Sequence, residues 1–221
     1  LYWFPLVGLV LGGLVFGMAW LMLPVGYPLL SGGLVCTALA FLTRAFHLDG
    51  LADTADGFGG GWTKERRLEI MKDSHTGAFG VVAVVCVLLV KSLAFGGLAS
   101  ESSMLWLLII PVLSRTFIVF QTVVNPYARP QGGTAAALVN GAKGRHLLAV
   151  VAQAMCFSWL VSSHIPLVDM GIVFGTGLVV TSMVAWTSRR MIGGVTGDVL
   201  GATCELSEAA MSVAAVIVLA V

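Results

Sequence analysis

The chain has 221 residues, of which 58% are hydrophobic and 10% charged, with a net charge of +1 at pH 7. Soluble domains carry about 25% charged and about 45–50% apolar residues. A disordered chain, a nucleic-acid binder and an ordinary cytosolic globule are therefore excluded, and the composition reads as an all-α, polytopic integral membrane helical bundle forming one domain over 1–221. Cys36, Cys86, Cys156 and Cys204 each stand alone in apolar surroundings, with no C-x-x-C pair to suggest a disulfide framework or a zinc site.

Apolar runs fall at 4–23, 29–46, 76–95, 104–124, 147–165, 167–187 and 199–221. Each approaches the roughly 20 residues that a membrane-crossing helix needs. The chain starts at Leu1 rather than a methionine, so the N-terminus is expected to be incomplete. The first run is too long for a cleaved signal peptide and lacks the small-residue exit. Pro24, Pro28, Pro126, Pro130 and Pro166 sit between runs, Pro5 suits a first helical turn, and Pro111 predicts a kink inside the fourth run. Only His164, Pro166 and Asp169 mark the boundary between the fifth and sixth runs. Seven helices are expected, or six if that boundary is not a break.

Positive side chains orient such a bundle, because short cytoplasmic connections retain them. Ten of the twelve Lys and Arg residues flank or lie in the connections after the second, fourth and sixth runs. The connections after the first, third and fifth hold none; Lys91 and Arg115 lie within runs. This asymmetry places the N-terminal end of the first helix in the cytoplasm and Val221 outside. The inward connections are also the long ones, rich in Gly, Arg and Asp, so the activity is expected on the cytoplasmic face of the cell's inner (plasma) membrane.

After the second run, Asp49, Asp53 and Asp56 are spaced by four and then three. At about 100° per residue they form a single helical stripe about 10 Å long. Carboxylates so aligned repel one another and are costly near a membrane unless a positive charge lies between them. Basic side chains or a hard divalent cation would serve. Oxygen-only ligands point to Mg²⁺ or Mn²⁺, whereas an interfacial helix with a wet side is the bland alternative. His47, about 200° from the stripe, reads as a packed or interfacial histidine. The glycines of Gly57–Phe58–Gly59–Gly60–Gly61 suit either close approach to a phosphate or a flexible turn. Residues 63–73 are amphipathic, with Thr63 as N-cap, Leu68 and Met71 directed toward lipid, and Arg66, Arg67 and Lys72 facing out. That face is either a solvated surface or a wall that steers phosphate.

Lys91, in the third run, is placed to snorkel. Arg115, in the fourth, must face the bundle interior and meet a carboxylate or a phosphate. The loop Asn125–Pro126–Tyr127–Ala128–Arg129–Pro130 offers one guanidinium and one phenol, as part of a substrate pocket or as a plain polar loop. In the last helix Asp198 and Glu205 are seven apart and share a face, with Gly201 between them and Glu208 about 80° to the side. Gly201 lets a partner helix or ligand come close. Two acidic stripes meeting at one depth suit a pair of divalent ions and phosphoryl transfer.

The run His47–Leu–Asp49–Gly50–Leu–Ala–Asp53–Thr–Ala–Asp56–Gly57 is similar to a motif of the cobalamin synthase (adenosylcobinamide-GDP ribazoletransferase) family. So are Arg67–Leu–Glu69–Ile–Met–Lys72–Asp73–Ser74–His75–Thr–Gly77 and Gly193–Gly–Val–Thr196–Gly197–Asp198–Val–Leu–Gly201–Ala–Thr–Cys–Glu205, in the same order and spacing. The likeness extends from about residue 5 to the end, although members of that family usually carry further residues before the first span. It implies a Mg²⁺-dependent membrane enzyme that joins adenosylcobinamide-GDP to α-ribazole or its 5′-phosphate and releases GMP. Metal held by Asp49, Asp53, Asp56, Asp198 and Glu205 would offset the diphosphate charge, with Asp53 as the base. Arg66, Arg67, Lys72, Arg115 and Arg129 are the expected substrate contacts, with Asp73 as an outer positioning group. Whether copies associate is left open. CDP-alcohol phosphotransferases also hold metals on membrane-helix aspartates, but their D-G-x2-A-R pattern fails here, where Asp53 and Thr54 replace Ala-Arg. An ion-coupled transporter would need acids near midplane, and these stripes cluster at one end.

Overall fold

The computed structural model describes residues 1–100 and 103–220; Val221, expected on the outer side, lies outside them. Among the described residues there are ten α-helices: α1 (Phe4–Met22), α2 (Pro28–Leu42), α3 (Phe46–Gly60), α4 (Lys64–Ile70), α5 (Ala78–Leu98), α6 (Leu105–Val124), α7 (Ala136–Asn140), α8 (Gly144–Leu160), α9 (Leu167–Ile192) and α10 (Gly197–Ala220). All seven apolar runs are helical, as α1, α2, α5, α6, α8, α9 and α10. Five of these, α1, α5, α6, α9 and α10, are long and apolar enough to cross a membrane, with a sixth if α2 and α3 are counted as one bent span. The all-α bundle expected from the sequence is thus observed, and α2 and α8 are its two short members. With 15 and 17 residues, α2 and α8 reach only about 22 and 25 Å, short of the roughly 30 Å hydrocarbon core.

The centre of the bundle is α6 and α10, whose side chains are mostly buried. Around them packs a core that includes Val15, Leu39, Phe95, Trp106, Ile110, Phe117, Val173 and Met211. α6 stays helical through Pro111. The four cysteines are free.

α3 turns 89° from α2. The corner is made by Arg44 and Ala45, both left-handed at φ 53° and 55°, a conformation that non-glycine residues adopt at a cost of about 1–2 kcal/mol each. Beyond the corner α3 does not continue through the bundle but lies across the starts of α10 and α5. It crosses α10 at Gly50, where a side chain would come within 2.8 Å of the Asp198 carbonyl oxygen, and at Gly201, where one would come within 3.0 Å of the His47 carbonyl oxygen. Two hydrogens in place of two side chains bring the acidic faces of α3 and α10 together, as the sequence predicts for Gly201.

Over α5, the Asp56 carboxylate accepts hydrogen bonds from the Gly77 and Gly80 amides at 2.6 and 2.8 Å. An anion there satisfies donors that the first turn of α5 would otherwise leave unpaired. α4 starts as expected, with Thr63 accepting from the Arg66 amide at 3.2 Å. Its apolar side does not face lipid. Met71 is buried against Gly57, and Arg67 turns inward to donate to the Met191 carbonyl at 3.0 Å. The glycines at the end of α3 serve as packing surfaces. Gly59 abuts the Phe79 ring and Gly61 abuts Arg67.

Candidate functional site

Three carboxylates and one guanidinium meet where α3 crosses α10. Asp49 and Asp53 lie one helical turn apart on α3, and Asp198 opens α10 directly beside Gly50. Arg129 donates to Asp198 at 2.8 Å. The loop carrying Arg129 is held in place by backbone: the Ala128 amide donates to the Val195 carbonyl and the Val195 amide to the Pro126 carbonyl, each at 2.9 Å. Thr196 also donates to Asp198, at 3.1 Å, and so fixes its rotamer. The 125–130 loop and the Gly193–Asp198 motif thus form one unit, which sequence spacing alone did not join.

Asp53 is half-buried and lies across the bundle end, outside the spanning helices. Burial first, then the carboxylates of Asp198 and Asp49, push its acid up to about 7, against a smaller opposing pull from Arg129. One guanidinium does not neutralise three carboxylates, so the group is short of positive charge. An all-oxygen donor set with an electrostatic deficit of this sign fits a hard divalent cation. Among the described residues no group of three or more His, Cys, Asp or Glu is arranged to hold a metal ion by itself. Two carboxylates on opposite helices match the way Mg²⁺ is commonly held, through one or two carboxylates completed by water and substrate phosphate.

Two expected metal ligands have partners away from this group. Asp56 has both oxygens committed to the start of α5. Glu205, seven residues and about 10 Å further into the bundle than Asp198, accepts from Lys91 at 2.8 Å. Lys91 does not snorkel: it is 2% exposed and also donates to Glu208 at 2.6 Å. Glu208 in turn takes hydrogen bonds from Arg115 and, at 3.0 Å, from Ser114. Lys91, Arg115, Glu205 and Glu208 thus form a buried, electrically neutral quartet joining α5, α6 and α10. Glu208 is its hub, although its position on the wheel set it aside in the sequence; the i, i+3 spacing to Glu205, opposite two cations inside apolar runs, was the available signal.

The expected substrate contacts divide. Arg129 belongs to the acidic group. Arg67 is drawn to α9, while Arg66 pairs with Glu69 at 2.7 Å on an exposed face. Lys72 is exposed. Asp73 accepts from the His75 amide at 3.0 Å and contacts its Nδ1 at 2.6 Å, a contact that holds the Asp73 carboxyl below its usual range. Arg115 reaches Glu208 with Nη1 only; its Nε and Nη2 are buried without a partner.

A profile of the cobalamin-5-phosphate synthase family matches residues 1–216. Among similar proteins, an adenosylcobinamide-GDP ribazoletransferase from Chlorobaculum tepidum is 43% identical over 211 residues, covering 96% of this chain and 83% of that protein. Proteins of the same name from Syntrophobacter fumaroxidans and Prosthecochloris aestuarii are 42% and 40% identical, covering 93% and 99% of this chain and 81% and 88% of their own lengths. No solved structure matches. With nearly its whole length aligned to these relatives and both acidic motifs at the crossing of α3 and α10, this chain belongs to the cobalamin-5-phosphate synthase family.

Proposed function

We propose that this chain transfers the phosphocobinamide group of adenosylcobinamide-GDP to a hydroxyl of α-ribazole or α-ribazole 5′-phosphate, releasing GMP, in the last steps of cobalamin biosynthesis. The observation that carries this reading is the meeting of Asp49, Asp53, Asp198 and Arg129 at one end of the bundle. The relatives' shared name supplies the substrates.

The chemistry follows from the charges. A diphosphate donor brings negative oxygens that Arg129 can pair with directly. Mg²⁺, or Mn²⁺ in its place, held by Asp53 and Asp198 with Asp49 beside them, would neutralise charge on the donor's phosphate oxygens. The acceptor hydroxyl attacks the phosphorus nearer the cobinamide, and the bond to the GMP oxygen breaks. In this reading Asp53, or Asp49 one turn away, takes the hydroxyl proton. The corrinoid far exceeds an ordinary pocket. The ten positive side chains on this end support a cytoplasmic site in the inner (plasma) membrane.

The test is turnover by the purified chain in lipid nanodiscs. GMP should appear from adenosylcobinamide-GDP only when α-ribazole is present, should cease with EDTA and should return with Mg²⁺. Synthesis in metal-free buffer contradicts the role of the cation, and CMP release from a CDP-alcohol in place of GMP release overturns the substrate assignment.

A further inference from the structure

Beside the acidic group is a cavity of about 780 Å³, walled by Trp3, Phe4 and Leu11 of the α1 segment, by Phe46, His47 and Asp49 of α3 and its corner, and by Arg115 and Ile118 of α6. Its size falls within the roughly 300–1,000 Å³ of small-molecule sites. A slightly larger cavity of about 840 Å³ between α3, α5, α9 and α10 is lined by apolar residues and threonines, with no charged group. The first cavity differs in three ways. Arg115 is 2% exposed, and two of its guanidinium nitrogens, Nε and Nη2, have no hydrogen-bond partner. His47 Nδ1 is likewise unpartnered. Asp49, one turn from Asp53, stands at the rim that adjoins the acidic group.

Buried donors without partners cost about 1–3 kcal/mol each, and the left-handed corner at Arg44 and Ala45, which also lines the cavity, adds strain. Such costs gathered at one cavity are expected where a ligand completes the hydrogen bonding. The charge on Arg115 is already balanced within the quartet, so the free nitrogens favour a neutral acceptor atom over a second buried anion. Three aromatic residues, Trp3, Phe4 and Phe46, are part of the lining, and aromatic side chains pack well on flat rings.

We propose that this cavity is the acceptor subsite: it takes the heteroaromatic base of the nucleoside substrate, with a ring nitrogen on Arg115 and the ribose hydroxyl toward Asp49 and Asp53. The proposal rests on the transferase reading and adds where the acceptor binds. An Arg115→Lys variant keeps a cation for Glu208 but loses the paired Nε and Nη2 donors. A Val7→Trp variant fills the cavity from the half-exposed side of α1 and leaves every polar partner in place.

Each variant and the wild type, in nanodiscs, is measured by equilibrium dialysis of labelled α-ribazole without donor, and by KM for each substrate. The expected result is wild-type binding of α-ribazole and, in both variants, a rise of about tenfold or more in its KM. The KM for adenosylcobinamide-GDP should stay within about twofold. If Arg115→Lys fails to fold, as read by melting and gel filtration, Val7→Trp decides alone. Equal shifts in both KM values, an unchanged α-ribazole KM in Val7→Trp, or a wild type that binds no α-ribazole each overturn the subsite. So does a lipid retained in native mass spectra that α-ribazole does not displace and Val7→Trp removes. Wild-type turnover with normal variant KM values sinks the subsite alone, whereas absence of GMP release despite α-ribazole binding sinks the reaction and leaves the subsite standing.

Discussion

Asp53 is surrounded by influences that favour its proton: partial burial, Asp198 across the crossing and Asp49 one turn away. Raising the pH through about 7 therefore creates the charge that a cation or a substrate hydroxyl needs, and lowering it removes that charge. The pH–rate profile should show an ascending limb near 7 at low Mg²⁺. A bound cation competes with the proton for the same carboxylate, so this limb should move to lower pH as Mg²⁺ increases. A limb insensitive to Mg²⁺ would separate Asp53 from the metal. Replacing Asp53 or Asp198 by Asn keeps the shape and removes the charge, so each variant should lose turnover by about 10²–10⁴-fold. Because like charges at the crossing are relieved, the melting temperature of Asp53→Asn should hold or rise.

At the scale of the helix, Asp56 shows how the same residue type one turn further along acquires a different task. It caps α5 from outside that helix, so Asp56→Ala should cost about 1–3 kcal/mol of stability, read as a lower melting temperature. The folded fraction should keep its dependence on Mg²⁺. The apolar runs were legible as helices because their length is a property of contiguous sequence. The pairing of Asp49 and Asp53 was legible from i, i+4 spacing, and the approach of Asp198 from the glycines that permit it. The duties of Asp56 and Glu205 were not legible, since their donors come from Gly77, 21 residues away, and Lys91, 114 residues away. Helical phase says which way a carboxylate points and not what awaits it. The lipid-facing assignment of Met71 failed for the same reason: amphipathicity marks an apolar face, while the neighbour that covers it is set by the 89° turn of α3.

For the molecule as a whole, the neutral quartet ties α5, α6 and α10 at a depth where an unpaired ion is expensive. Lys91→Met leaves two carboxylates facing one guanidinium and should destabilise by about 3–5 kcal/mol. Adding Glu205→Gln restores neutrality and should recover much of that loss, a coupling measurable by a double-mutant cycle on unfolding. Additive losses would mean the four residues do not act as a unit.

The crossing of α3 with α10 joins parts of the polypeptide far apart in sequence, Gly50 on one side and Asp198 on the other. During synthesis the ribosome delivers Asp49 and Asp53 long before their counterpart. Until α10 threads into the bilayer, nascent chains expose half a centre with nothing opposite it. The acidic group is therefore completed only when α10 inserts, well after α3 has been made.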